Sequence, residues 1–255
     1  MNEAEFTTCA WCPRLCRHVC PVAVGAALES ATPTALMSAP LFVAGGIWTR
    51  EVGVSATDLC LGCHACTQHC KLHVPVPERL AEWRATPTEP APLAPIEGDA
   101  QVVCVHDGVD WSERWARGAP VSRIYTRDDL GHAAWRSGSL AVIASLADHF
   151  RGRRVVTVSG AVEEVLRAAG VPVERVAIGE GRVFRTCFEG AAPGPEQLAC
   201  CGRREGFAER NPSVAAAIAR ENVRLLDGPA VCKDQGCAAW LRANGGDVVG
   251  PLDTN

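Results

Sequence analysis

No stretch of this chain is apolar for long enough to cross a bilayer, which takes about 20 residues. The longest apolar run, Leu41-Phe-Val-Ala-Gly-Gly-Ile-Trp48, falls well short of that. The first residues, Met1-Asn-Glu-Ala-Glu-Phe-Thr-Thr, are acidic and have no apolar centre, so no secretory leader is expected. An excess of one charge is missing too. The formal net charge of −4 gives no argument for nucleic acid or an anionic membrane as partner. Glycine-rich nucleotide signatures are also absent: Ser159-Gly160 is a plain strand-to-helix turn, and a dinucleotide fingerprint needs more glycines at set spacing. No phosphate loop, Ser-His-Asp set or paired-carboxylate site stands out. A cytoplasmic protein without a transmembrane segment or a flavin or nicotinamide site of its own is expected.

What the chain has in quantity is cysteine, fourteen in 255 residues. Hydrophobic content of 47% and charged content of 21% are ordinary for a globular protein. The length suits one large domain or two modest ones. Disulfide scaffolds are usually shorter and exported, so metal ligation is the expected use of these thiols.

Eight of them form two runs. The first reads Cys9-Ala-Trp-Cys12-Pro-Arg-Leu-Cys16-Arg-His-Val-Cys20-Pro21, the second Cys60-Leu-Gly-Cys63-His-Ala-Cys66-Thr-Gln-His-Cys70. The second has the C-x2-C-x2-C-x3-C spacing of a bacterial [4Fe–4S] site; the first differs by one inserted residue before Cys16. In such pairs three cysteines of a run hold one cluster and the fourth holds the other. The spacing therefore assigns Cys9, Cys12, Cys16 and Cys70 to one [4Fe–4S] cluster, and Cys60, Cys63, Cys66 and Cys20 to a second. Three thiolates on short turns can wrap one side of a cubane, and another segment must supply the fourth. Two structural zinc sites are the rival reading, because C-x2-C pairs also suit tetrahedral zinc. Cys60-Leu-Gly-Cys63-His64 also matches a c-type haem attachment site, but thioether bonds would consume two thiols of the run. His18, His64, His69 and His73, with Arg14, Arg17 and Lys71, lie close by; they either tune the clusters or face water.

The expected fold is α+β in two domains. Residues 1–83 form a helical two-cluster ferredoxin-like domain, residues 84–100 a proline-rich linker, and residues 101–255 an α/β domain carrying a Cys-Cys-Gly module. In the first domain Ala23 to Ser30 and Leu80 to Arg84 read as helices, and Pro33 and Pro40 as breaks. In the second, strands are expected at Gln101–Val105, Arg154–Val158, Val171–Ile178, Ala230–Cys232 and Val248–Leu252. Helices are expected at Leu140–Phe150, Ala161–Ala169, from Asn211-Pro212 to about Leu226, and at Cys237–Ala243. This β-α-β order favours a parallel sheet.

The remaining cysteines are Cys104, Cys187, Cys200, Cys201, Cys232 and Cys237. Adjacent residues in a strand face opposite ways, so Cys200 and Cys201 can reach one metal only through a sharp turn, which Gly202 permits. Cys104 reads as a strand core residue. The two runs followed by Cys200-Cys201-Gly202 resemble the heterodisulfide-reductase-related iron–sulfur proteins, which include the iron–sulfur subunits of glycolate oxidase and anaerobic glycerol-3-phosphate dehydrogenase. The likeness covers Cys9 to Cys70 and Phe184 to Leu241. It matches Cys187 in Arg185-Thr-Cys187-Phe and the element Cys232-Lys-Asp-Gln-Gly-Cys237-Ala-Ala-Trp-Leu241, where the leucine favours Cys237 over Cys232.

This chain departs from that pattern in having one intact module and a shrunken one, a final cysteine pair spaced by four residues, and a short Cys187–Cys200 interval. The resemblance implies a site at Cys187, Cys200, Cys201 and Cys237, with Cys232 as competitor, for a third iron–sulfur cluster, a zinc ion or no metal. It implies a subunit relaying electrons from an FAD-linked oxidase or dehydrogenase to a quinone, a membrane-associated acceptor or another carrier. The alternative it implies is a disulfide-reductase-like catalytic subunit working at the Cys-Cys-Gly site.

Overall fold

The structure is a computed structural model that describes residues 3–13, 16–84, 93, 96, 102–106, 122–125, 130–132, 139–176, 180–187, 197–204 and 207–253. The chain combines helices with small sheets that contain parallel pairings, an α+β composition. It divides into two compact units. Unit 1 contains Met1–Thr86, Phe184–Pro229 and Trp240–Asp247; unit 2 contains Pro87–Val183, Ala230–Ala239 and Val248–Asn255. The expected second domain, 101–255, is thus not one body: its Phe184–Pro229 stretch packs with the N-terminal helices.

Unit 1 is helical: α1 (Glu3–Ala10), α2 (Pro21–Gly25), α3 (Pro33–Ala44), α4 (Arg50–Thr57), α5 (Ala65–His69) and α6 (Val76–Arg84). Thr32 caps α3, its hydroxyl accepting from the Ala35 N–H at 3.3 Å, and Pro33 occupies the first helical position, where a missing N–H is harmless. Pro40 was expected to break the chain; it sits buried inside α3 instead. It cannot donate to the Leu36 carbonyl, and burial of this apolar helix offsets that loss. The helix expected at Ala23–Ser30 is shorter and earlier, ending at Gly25 before a single 3-10 turn at Glu29–Ala31. Phe6, Leu36, Met37, Leu80 and Trp83 form one core between α1, α3 and α6. Arg79 on α6 pairs with Glu5 on α1.

The same unit takes in a four-residue helix, Phe207–Arg210, and the long helix Pro212–Leu226. Ala215, Ile218, Ala219 and Leu226 face inward. Helix α2 meets Pro212–Leu226 so closely that a Cβ on Gly25 would lie 2.9 Å from the Ile218 Cα. That approach, and the shared core of Val22, Leu61, Leu198, Phe207 and Ile218, joins the later stretch to unit 1.

Unit 2 holds a parallel sheet in the order β2-β1-β3-β4: β1 (Val102–His106), β2 (Ser122–Tyr125), β3 (Arg154–Thr157) and β4 (Val173–Arg175). Helices α7 (Leu140–His149) and α8 (Gly160–Ala168) bury Val142, Leu146, Val162, Val165 and Leu166 against Val103, Val105 and Val155. Strand β2 has no counterpart among the expected strands. Of the expected linker, Arg84, Leu93 and Ile96 are described, and the last two pack against this core. A second sheet runs β5-β6-β7, with β5 at Val183–Phe184, β6 at Ala230–Cys232 and β7 at Val248–Val249. Counting the two helices of the preceding paragraph as α9 and α10, Gln235–Ala243 is α11. No described helix is long and apolar enough to cross a membrane.

Candidate metal centre

The cysteines of the two runs lie in short helices or in the turns beside them. Cys9 closes α1, and the Cys12 N–H donates to its carbonyl at 3.2 Å. Cys16 opens a 3-10 turn, and Cys20 precedes Pro21 at the start of α2. In the second run Gly62 and His64 both take positive φ, +68° and +60°. Two left-handed residues in three curl the loop tightly around Cys63 before α5 begins. Cys66 lies on α5 and Cys70 follows its last turn. Of the three residues between Cys12 and Cys16, Arg14 and Leu15 lie outside the described residues.

Two groupings result. Cys9 feels the charges of Cys16, Cys12 and Cys70. Cys66 feels those of Cys60, Cys63, Cys20 and Cys16. Cys9, Cys12, Cys16 and Cys70 are thus electrostatic neighbours of one another, and so are Cys20, Cys60, Cys63 and Cys66. Cys16 lies within reach of Cys20 and Cys66, so the groups adjoin. Apolar side chains line both: the core of Phe6, Met37 and Trp83 takes in Cys9, Cys16, Cys60, Cys66 and Cys70, and that of Val22 and Leu61 takes in Cys20 and Cys63.

Burial and like charge make this an unfavourable place for bare thiolates. Burial, then Cys16, Cys12 and Cys70, push the Cys9 thiol up to about 12. Burial pushes Cys20 up to about 11 against the pull of the Ala23 and Val22 N–H groups. Burial also raises Cys63 and Cys66, with neighbouring thiols adding to it. A thiolate here needs a cation to compensate it, which is what a metal centre supplies while displacing the protons.

Cys187, Cys200 and Cys201 form a third group, also in unit 1 and fully buried. Two amide side chains set it up. Gln197 accepts from the Arg185 N–H at 3.0 Å and donates to the Arg185 carbonyl at 2.8 Å, fastening the Cys187 segment to the Cys200 segment. Asn222, buried on α10, accepts from the Leu198 N–H at 2.8 Å and donates to the Cys200 carbonyl at 2.9 Å. Gly202 has φ +95° and lies so close to α10 that a Cβ would meet the Ala215 carbonyl oxygen at 2.9 Å. Cys187 and Cys200 hydrogen-bond each other, and Arg204, only 4% exposed, hydrogen-bonds Cys187. The Cys200 bond and then burial raise the Cys187 thiol, while Arg204 pulls it down. Cys63 feels Cys187, and Cys200 feels Cys63, so this group adjoins the second one.

Cys232 and Cys237, expected beside that group, belong to unit 2, on β6 and in the first turn of α11. There Asp234 is the organising residue. One carboxylate oxygen accepts from the Gly160 N–H at 2.7 Å and the other from the Cys237 N–H at 2.8 Å. The start of α8, where the strand-turn-helix of a nucleotide fold would hold phosphate, already faces a carboxylate. Cys104 is a strand core residue on β1, packed with Val156 and Val158.

Sequence reasoning missed Gln197, Asn222, Arg204 and Asp234. Asn222 did leave a signal: it is a polar residue on the apolar stripe of α10, one turn after Ile218. Among the described residues no three His, Cys, Asp or Glu side chains are placed to hold a single metal ion. No protein-family model matches this chain, and neither does any curated protein or solved structure.

Proposed function

We propose that this chain is the iron–sulfur subunit of a cytoplasmic redox complex, with a ferredoxin-like arrangement of two clusters, as its likeness to the heterodisulfide-reductase-related proteins implies. Cys9, Cys12, Cys16 and Cys70 would hold one [4Fe–4S] cluster, and Cys20, Cys60, Cys63 and Cys66 the other. Bound there, the clusters supply one-electron redox chemistry between an FAD-linked dehydrogenase and a quinone or another carrier. The observation that carries the reading is the gathering of two adjoining sets of four thiols, each made of three cysteines from one run and one from the other.

The donor set fits the group. A zinc ion draws its sulfurs to about 2.3 Å from one point, whereas a cubane places each thiolate on its own iron. The C-x2-C-x2-C-x3-C spacing of the second run favours the second geometry. Burial of Cys9 and Cys66 among apolar side chains is a lever on reduction potential. Trp11, between Cys9 and Cys12, is 84% exposed, and Leu72, two residues after Cys70, is 63% exposed.

Iron and acid-labile sulfide measured after anaerobic purification test the reading. About eight irons and eight sulfides per chain, with an EPR signal on dithionite reduction, are expected. Zinc without sulfide overturns it.

A further inference from the structure

Two residues of the second run take left-handed backbone, Gly62 at φ +68° and His64 at φ +60°. Glycine does so without steric cost, whereas a side chain at position 64 crowds the backbone. A glycine at 64 would relieve that strain, so a histidine there points to a task for its imidazole. The ring Nδ1 lies 3.3 Å from Oε1 of Glu78. Both side chains are partly buried, at 21% and 35% exposed, so solvent screens the pair less than a surface one. Glu78 stands in the first turn of α6. That helix buries Val76, Leu80 and Trp83 in the core that also takes in Cys66, which makes it a fixed support outside the cysteine loop. The His64 carbonyl accepts from the Gln68 N–H at 3.0 Å where α5 begins. His64 therefore joins the turn holding Cys63 to the helix holding Cys66.

We infer that Glu78 is a positioning residue for the second cluster: through His64 it holds the left-handed turn that presents Cys63 and Cys66 together. This role rests on the two-cluster reading and assigns control of one of the two sites to a residue outside both cysteine runs. Cys9, Cys12 and Cys16 belong to another segment, so loss of the pair loosens the second site first. Glu78 also brings a carboxylate to the residue that adjoins Cys63. Charge near a cluster tunes its reduction potential, and a negative charge opposes uptake of an electron. Neutralising Glu78 therefore makes the second cluster easier to reduce, an effect that a purely structural role does not produce.

The test uses the full-length chain, purified anaerobically with its iron and sulfide counted, beside His64→Gly, Glu78→Ala and the double variant. Iron release to bathophenanthroline disulfonate is followed by absorbance. In each single variant about half of the iron should leave several-fold faster than in the wild type, and the rest at the wild-type rate. A variant that already lacks that half on purification, with the first cluster's EPR signal intact, gives the same answer. The double variant should be no faster than the faster single one, because the two residues act through one contact. Glu78→Gln keeps an acceptor for the imidazole and removes the charge. In an EPR-monitored redox titration its second cluster should be several-fold more reduced than the wild type's at fixed poise, and Glu78→Asp should lie close to the wild type. Glu82→Gln, at the 55% exposed partner of Arg79 on the same helix, should change neither rate nor poise. Wild-type release from His64→Gly, effects of the two changes that multiply independently, or an unmoved potential in Glu78→Gln each overturn the inference. A wild-type chain with zinc and no sulfide overturns the two-cluster reading and this role with it; a fully loaded wild type with unaltered variants overturns this role alone.

Discussion

The side-chain amide of Asn222 donates to the carbonyl of Cys200 at 2.9 Å, and its oxygen accepts from the Leu198 N–H at 2.8 Å. One buried residue on a helix thus holds the backbone on both sides of Ala199. Asn222→Ala should strand a buried N–H and a buried carbonyl, costing about 2–4 kcal/mol in total. Denaturant titration of the metal-free chain checks this. Arg220→Ala, on the exposed side of the same helix, should move the midpoint by less than about 0.5 kcal/mol.

Gly202 and Gly152 offer a matched pair. Both have positive φ, +95° and +70°, but a Cβ on Gly202 meets the Ala215 oxygen at 2.9 Å, while one on Gly152 meets nothing within 4 Å. Gly152→Ala should cost only the backbone term, about 1 kcal/mol. Gly202→Ala adds a clash with backbone and should cost about 2–4 kcal/mol. Thermal unfolding of the two variants should rank them in that order, and G202A should also speed alkylation of Cys200.

The metal-free chain should lose stability in alkali. Cys9 is raised from 9.0 to about 12 in the fold and Cys20 from 9.0 to about 11. Below pH 9 both thiols are protonated in both states, and their contribution is fully present. Above it the unfolded chain releases protons that the folded chain keeps, so stability falls from pH 9 through the folded values. Urea midpoints measured from pH 8 to pH 11 should decline, and Cys9→Ser should flatten the decline.

Crossed ligation makes an asymmetric prediction. Under the proposed crossed ligation, Cys70→Ala removes a ligand of the first set although it lies in the second run. It should lower iron by up to about four atoms per chain and change the signal of the cluster that Cys9→Ala also affects. Cys20→Ala should act like Cys63→Ala instead. Iron assay with EPR on the four variants distinguishes this from ligation within each run, which pairs Cys70 with Cys63.

Local elements were legible where local chemistry decides them. Asn211-Pro212 marks the start of α10, Arg154–Thr157 reads as a buried strand from its β-branched residues, and α8 and the parallel β3–β4 pairing follow from a plain strand-turn-helix-strand pattern. Pro40 was misread because a single proline is tolerated inside a helix whose apolar sides are buried all round. The division of the chain was not legible either. A proline-rich linker suggests a boundary, but it does not show that Phe184–Pro229 returns to α2.

The sequence alone determined which cysteines belong to runs, because spacing along a chain limits what short turns can gather. Only tertiary structure decided that Cys187, Cys200 and Cys201 adjoin Cys63, that Cys232 and Cys237 belong to the other unit, and that Arg204 is buried against Cys187. Those relationships depend on the close approach of Gly25 to Ile218 and on the amides of Gln197 and Asn222. Contacts between residues so far apart in the chain are set by packing and hydrogen-bond satisfaction in three dimensions, and no local pattern encodes them.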